Sequence, residues 1–276
     1  MQILGSGALS KMRSELAEPI EYKLALGDEI ISVNQLLEKK INIKFLGAIN
    51  CLHCGRKTKK SFSQGFCYPC FTRLPQCDTC IMSPEKCHFQ EGTCRDPAWG
   101  ESHCFVPHIV YLANSSGVKV GITRGTQTPT RWIDQGAVQA LPIFRVQTRF
   151  QSGLVERVYG EHVSDRTNWR AMLKGQVELL DLESKRDELL EKCAEKITDL
   201  QNIHGLQAIQ PIVDATQLNI QYPVIQYPVK VVTHNLDKIP EAEGVLLGVK
   251  GQYLILDTGV INMRKYTSYQ IELSSE

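Results

Sequence analysis

No run of apolar residues in this chain is long enough to cross a bilayer. The stretch Met1-Gln-Ile-Leu-Gly-Ser-Gly7 also lacks the basic and apolar regions of a secretory signal. Those two absences predict a cytoplasmic protein with no membrane contact. Charge imbalance is missing as well, with 31 Lys and Arg against 30 Asp and Glu in 276 residues. The total therefore says nothing about partners, and only local clusters can. Residues 51–104 are poor in the aliphatic side chains from which an ordinary core is built. Nine of the ten cysteines fall in that same interval. Disulfides are disfavoured in a reducing compartment, so metal is expected to stand in for the missing core.

The spacing supports this. Cys51-x2-Cys54 and Cys67-x2-Cys70, twelve residues apart, have the form of a zinc ribbon. Each pair sets two thiolates on one tight knuckle, and two knuckles complete a tetrahedron of sulfur. Four protein ligands leave no open position, so this zinc is expected to be structural. A second group follows: Cys77, Cys80, Cys87, His88, Cys94, His103 and Cys104. It offers more ligands than one site needs. The expected second set is Cys77, Cys80, Cys87 and Cys94, with Cys104, His103 or His88 as substitutes. A redox role for Cys77-Asp-Thr-Cys80 would require a βαβ setting, which the flanking sequence lacks.

The knuckle region also carries a local charge. From Cys51 to Pro75 there are Arg56, Lys57, Lys59, Lys60 and Arg73, with no acidic residue. Phe62, Phe66, Tyr68 and Phe71 interleave with them. Cations that neutralise phosphate and aromatics that stack on bases would use this mixture. The alternative is that the rings pack on the knuckles and the cations are merely solvated.

Taken in order, the chain reads as α+β. Residues 1–50 form an N-terminal β-subdomain, with strands over 20–26 and 41–49, a Gly27-Asp28 turn, and a helical turn at Asn34. Residues 51–104 are the zinc-binding region, and 105–175 form a small α/β domain. Residues 176–204 are an amphipathic helix with Leu179, Leu182, Leu189, Cys193, Ile197 and Leu200 on its apolar stripe. Within it, 176–201 is a candidate protein-docking surface, and Cys193 reads as a core thiol. Residues 205–276 are a C-terminal β-subdomain, a candidate packing partner of 1–50. In that segment Ile-Gln-Tyr-Pro-Val occurs twice in tandem, at 220–224 and 225–229, and its prolines demand an extended connector or an edge.

The α/β segment opens on a predicted β-hairpin, His108 to Arg124, that turns at Asn114-Ser-Ser-Gly117. One face carries Val110, Leu112, Val118, Val120 and Ile122, suited to a core; the other carries Tyr111, Lys119 and Gly121. Register places Tyr111 nearly opposite Lys119. Downstream, a helix is expected at 129–136 with Thr128 as its cap, a strand at 140–148, a helix at 154–163, and a short helix at 167–173. Lys119, Arg124, Arg131, Arg145 and Arg149 face a single acid, Asp134, between residues 119 and 149. That is a surface friendly to phosphate.

Ile109-Val-Tyr111 and Lys119-Val-Gly121, followed by Arg131, Glu156 and Asn168, resemble in order and spacing the GIY-YIG nuclease-like superfamily. The resemblance covers about residues 106–170. The first motif keeps its tyrosine and loses its glycine, while the second keeps its glycine and has lysine in place of tyrosine. Segments 119–123 and 131–137 also resemble a bacterial family of uncharacterised proteins. The superfamily likeness implies a metal-dependent endonuclease acting on DNA or RNA. Tyr111 would be the base or water positioner, its pKa lowered by Lys119. Arg131 would clamp the phosphate, Glu156 would hold one Mg²⁺ or Mn²⁺, and Asn168 would fix local geometry. Asp165 is a candidate second carboxylate, and Arg124 joins Arg56, Lys57, Lys59, Lys60 and Arg73 as a candidate nucleic-acid contact. Two further readings stand beside this one: a binding module that kept the fold and lost the chemistry, and a zinc-stabilised protein-interaction scaffold.

Overall fold

The computed structural model describes residues 1–164 and 166–276; the candidate carboxylate Asp165 lies outside the described residues. The fold is α+β, built on antiparallel sheets. The two ends of the chain share the largest sheet. Its strands run in the order Gln2–Ala8, Tyr269–Ser275, Lys40–Asn50, Glu241–Lys250, Tyr253–Leu256, Gly259–Asn262, with Lys57–Thr58 paired to the end of Lys40–Asn50. Alternation explains the placement of Glu241–Lys250: Ala242, Gly244 and Leu246 turn inward while Glu241 and Glu243 face water. A separate three-stranded sheet, Arg13–Glu15, Glu21–Leu26 and Glu29–Ser32, completes the N-terminal part.

The middle sheet carries the predicted hairpin. His108–Asn114 pairs with Val118–Arg124 on one side and with Gln139–Val146 on the other. Ile209–Pro211 and Leu218–Asn219 extend that outer strand. The hairpin's turn differs from expectation in one respect. Asn114 pairs with Val118, so the loop is Ser115-Ser-Gly117, with Gly117 at a positive φ of 121°. Tyr111 therefore faces Gly121, and Lys119 faces Ala113, a shift of two residues from the expected pairing. A shift of two preserves the face, because side chains alternate with period two.

Each face of the hairpin meets a different core. Val110, Leu112 and Val120 pack with Leu141, Ile143, Val155 and Tyr159, and with Leu189, Cys193 and Ile197 of the long helix. Tyr111 and Ala113 join Trp132, Ile133 and Ala140 in a larger core with Ile41, Leu246 and Leu273 from the terminal sheet and Leu24 from the three-stranded one. The face expected to stay open is thus covered by the body that the chain ends build.

Helix boundaries follow their caps. Arg149–Gly160 starts five residues before the expected position because Thr148 and Gln151 form a reciprocal capping box. The long helix is Leu182–His204, capped by Asp181, whose side chain accepts from Ser184 N, and it ends at Gly205, φ 96°. Leu179 lies before it and is exposed, while Leu182, Leu189, Cys193 and Ile197 are buried against the middle sheet. The apolar stripe of this helix is thereby occupied within the chain. The helix after the hairpin is Thr130–Asp134, and Pro129 rather than Thr128 takes the cap position. Among the described residues no helix is long and apolar enough to cross a membrane.

The tandem repeat forms an extended connector that encloses a lysine. Lys250, fully buried, has its ammonium 5.4 Å from the ring centroid of Tyr222 and 5.3 Å from that of Tyr227, the tyrosines of the two copies. Burial pulls its pKa down to about 8.

Candidate functional site

The knuckles come first in the chain. Cys51, Cys54, Cys67 and Cys70 place their sulfurs within 4.8 Å of one another. The Cys54–Cys67 separation is 3.7 Å. Four sulfurs at about 2.3 Å from a tetrahedral zinc would be about 3.8 Å apart, so the donor set suits a structural zinc. Cys51 N–H donates to Arg56 O, and Gly55 N–H, at φ 69°, donates back to Cys51 O. That left-handed position explains the glycine directly after Cys54. Burial alone would push the Cys51 thiol up, but backbone donors from Cys54, Cys67 and His53 bring it down to about 6. Burial and hydrogen bonds with its three neighbours push Cys70 up to about 12. Cys51 and Cys70 are thus pushed in opposite directions within one cluster, as expected of a site whose accumulating negative charge calls for a cation.

The aromatics of this region pack on one another. Phe62 lies 5.4 Å from Tyr68 and 5.6 Å from Phe71, centroid to centroid, and Lys60 sits over the Phe62 ring at 5.3 Å. Only Tyr68 keeps a large exposed surface. Arg56, Lys57, Lys59, Lys60 and Arg73 are all exposed. In the second group, Cys77 is buried, hydrogen-bonds the Ser63 side chain and faces Cys51; it does not share a cluster with Cys80.

The principal cleft, about 630 Å³, lies between the zinc region, the hairpin and the terminal sheet. Lys119, Gly121 and Arg124 reach it from the hairpin, and Arg131 and Gln135 from the following helix and its end. Arg149 and Glu156 come from the capping-box helix, and Arg166 from the loop beyond. Trp99, His103 and Cys104 close it from the zinc region, and Arg264 from the C-terminal turn. Six cations and one acid, Glu156, are thus found among its described lining residues.

These cations are close enough to oppose one another. Burial lowers the pKa of Arg149, and Arg131 lowers it further. Burial and then Arg131 act in the same direction on Arg264, while Asp134 opposes them. Arginine stays protonated under any such shift, so the guanidiniums of Arg149 and Arg264 each remain opposed by that of Arg131 in one wall. Arg149 donates through Nη2 to Ile81 O at 2.5 Å, yet its buried Nε has no hydrogen-bond partner among the described residues. Asp134, the one acid of the basic stretch, is buried and turned away. It binds Lys11, accepts from Gln252 at 2.9 Å, and lies 3.8 Å from Arg264.

Tyr111 forms the floor beneath this wall. It is fully buried and donates to Gln135 Oε1 at 3.0 Å; the same oxygen accepts from the Lys119 ammonium. Burial pushes its pKa up to about 12, with Glu156 adding to the rise and Arg131 opposing it. The direction is the reverse of the one expected from Lys119, because desolvation outweighs the neighbouring cation. Gly121 makes room for the ring: a Cβ there would lie 2.8 Å from both Tyr111 Cζ and the hydroxyl oxygen.

The structure therefore brings Lys119, Arg124, Arg131 and Glu156 into one cleft, with Tyr111 below them. Asn168 is not among the lining residues. Its side chain caps Trp169–Leu173 by accepting from Ala171 N, and its own N–H donates to Ser116 Oγ. Arg145, counted with the basic stretch, is exposed outside the cleft. Arg264 escaped the sequence reading, since nothing local marks a turn arginine as a partner of residues so distant in the chain.

A family model described as "Protein of unknown function (DUF2797)" matches residues 38–271. The chain belongs to that family. The match includes every cysteine and every residue lining the cleft, and in DUF2797 terms leaves outside only the first strands and the chain's last residues. No curated protein and no solved structure matched the chain.

Proposed function

We propose that this DUF2797 chain is a zinc-containing protein whose cleft grips the phosphodiester backbone of DNA or RNA. The observation that carries the reading is the convergence of Arg131, Arg149 and Arg264 with Lys119, Arg124 and Arg166 around one depression. Holding like charges together is unfavourable, and an anion entering the cleft would relieve it. The unpartnered Nε of Arg149 offers a donor already desolvated. Exposed cations on the zinc knuckles, Arg56, Lys57, Lys59, Lys60 and Arg73, would extend the grip beyond the cleft.

Anisotropy of labelled single- and double-stranded DNA and RNA tests this. Binding should weaken steeply between about 50 and 200 mM salt. Arg131→Ala and Arg264→Ala should each lower affinity and flatten the salt dependence by roughly one unit of log–log slope. No binding to any of the four probes at low salt would overturn the proposal.

Cleavage is the second reading, favoured because Glu156, Arg131 and Lys119 share the cleft in the order that resembles GIY-YIG nucleases. The buried, un-ionised Tyr111 argues for a binding module that kept the arrangement without its base. A single described carboxylate among six cations does not amount to a divalent-ion site, so no step is routed through Mg²⁺ or Mn²⁺. Incubation with either ion decides the matter: product from the native chain that Glu156→Ala fails to give supports cleavage. Equal product from both, or none from either, removes it and leaves binding standing.

A further inference from the structure

Four thiols beyond the knuckles, those of Cys80, Cys87, Cys94 and Cys104, are free of disulfides and only partly accessible. They sit in a part of the chain with few apolar anchors, chiefly Phe89 against the Phe105 ring at 4.5 Å and Pro84 against Gly153. No side chain from residues 78–104 belongs to any of the hydrophobic clusters, and the backbone there is single turns plus the short helix Pro97–His103.

Three closures nevertheless draw the four cysteines together. Arg149 ties two of them, since its guanidinium donates to Ile81 O beside Cys80 and its amide donates to Cys104 O at 2.7 Å. Gly100 joins Cys94 to Cys104. Its carbonyl accepts from Cys104 N at 2.7 Å, and a Cβ on it would lie 3.6 Å from Cys94 Sγ and 3.2 Å from the Phe89 ring. The Thr93 hydroxyl donates to His88 O at 3.2 Å, closing the loop between Cys87 and Cys94. Cys80 is within electrostatic range of Cys87, Cys94 and Cys104, and Cys104 of Cys87 and Cys94.

We propose that Cys80, Cys87, Cys94 and Cys104 bind a second structural zinc ion. On binding, the thiols give up their protons to solvent and four thiolates close the coordination sphere. A zinc with four thiolates carries a net charge of −2, and the guanidiniums of Arg149 and Arg124 lie in range of Cys104 to balance it. The ion would supply this segment with the rigidity that its composition denies it, and would brace the cleft wall to which Cys104 and Arg149 belong. The ligand atoms of a competing trio, Asp78, Cys80 and His88, lie within 4.8 Å of one another, which no three of the four sulfurs do, so zinc would have to draw those sulfurs in. The trio's carboxylate is already held by Arg95 at 2.8 Å, so an ion there would sit against a guanidinium. Cys77 belongs to neither set, being turned toward Ser63 and Cys51.

The test is metal content of the full chain purified under reducing conditions from zinc-supplemented cells. The native chain should hold two zinc ions; Cys80→Ser and Cys104→Ser should each hold one, and Cys77→Ser should keep both. Cobalt titration of the metal-stripped native chain guards against misfolded variants. Tetrahedral thiolate–cobalt absorption should grow through two equivalents. One zinc in the native chain with saturation at one cobalt, iron in place of zinc, or zinc lost from Cys77→Ser and retained in Cys104→Ser would each overturn the assignment.

Discussion

Replacing Tyr111 with phenylalanine separates a buried structural phenol from a catalytic one. Burial holds its pKa at about 12. At pH 7 only about 1 in 10⁵ of such groups is ionised, too few for a general base. The substitution keeps the ring that fills the space over Gly121 and removes one donor to Gln135 Oε1. That oxygen still accepts from Lys119, and Arg131, which also hydrogen-bonds the phenol, keeps its access to the cleft, so the expected cost is about 1 kcal/mol. Urea denaturation at pH 7 measures this directly. Nucleic-acid affinity should stay within about twofold, because a stability loss of this size need not alter the cation geometry of the cleft. The alkaline limb gives a second readout. A pKa raised above the unfolded value of about 10 supplies stability below pH 10 that is lost as the pH climbs through 12. Native stability relative to the variant should therefore fall over that window by up to about 2.7 kcal/mol, enough to reverse the order of the two. A Tyr111→Phe chain of unchanged stability that has lost binding, or cleavage, by tenfold or more would refute this account.

Other perturbations follow from the same geometry. Cys51→Ser should lose one zinc equivalent and become sensitive to proteolysis within residues 51–104, where no apolar core substitutes for metal; undiminished zinc would disprove the knuckle site. Gly121→Ala should destabilise by about 1–3 kcal/mol in thermal or urea melts, since its Cβ would meet the immobile Tyr111 ring at 2.8 Å; a neutral result would contradict the packing. Lys250→Met should stabilise the fold at pH 7 by up to about 3 kcal/mol, with the Tyr222 and Tyr227 rings, which favour the cation, reducing the gain. Its folded pKa of about 8 lies below the unfolded value near 10.4, so native stability should rise with pH from 8 toward 10. Denaturation from pH 7 to 9.5 should show that slope in the native chain and a weaker one in the variant; equal slopes would exclude the buried lysine as its source.

What the sequence by itself determined is local. Two Cys-x2-Cys knuckles, a glycine after the first, and a stretch poor in aliphatic residues were enough to anticipate the sulfur cluster at 51–70, because knuckle geometry is set within a few residues. The hairpin's core face was also readable, since period-two alternation survives a shift of two in register. Tertiary structure decided the rest. Only the pairing of Lys40–Asn50 with Glu241–Lys250 and Tyr269–Ser275 assembles the body that covers Tyr111. Burial there outweighs the cation beside it and reverses the expected direction of its pKa. The cleft likewise depends on Arg264 meeting Arg131 and Arg149 across three parts of the chain. Charge convergence of that kind has no sequence period, because it is set by where sheets and helices pack and not by the spacing of residues along any one of them.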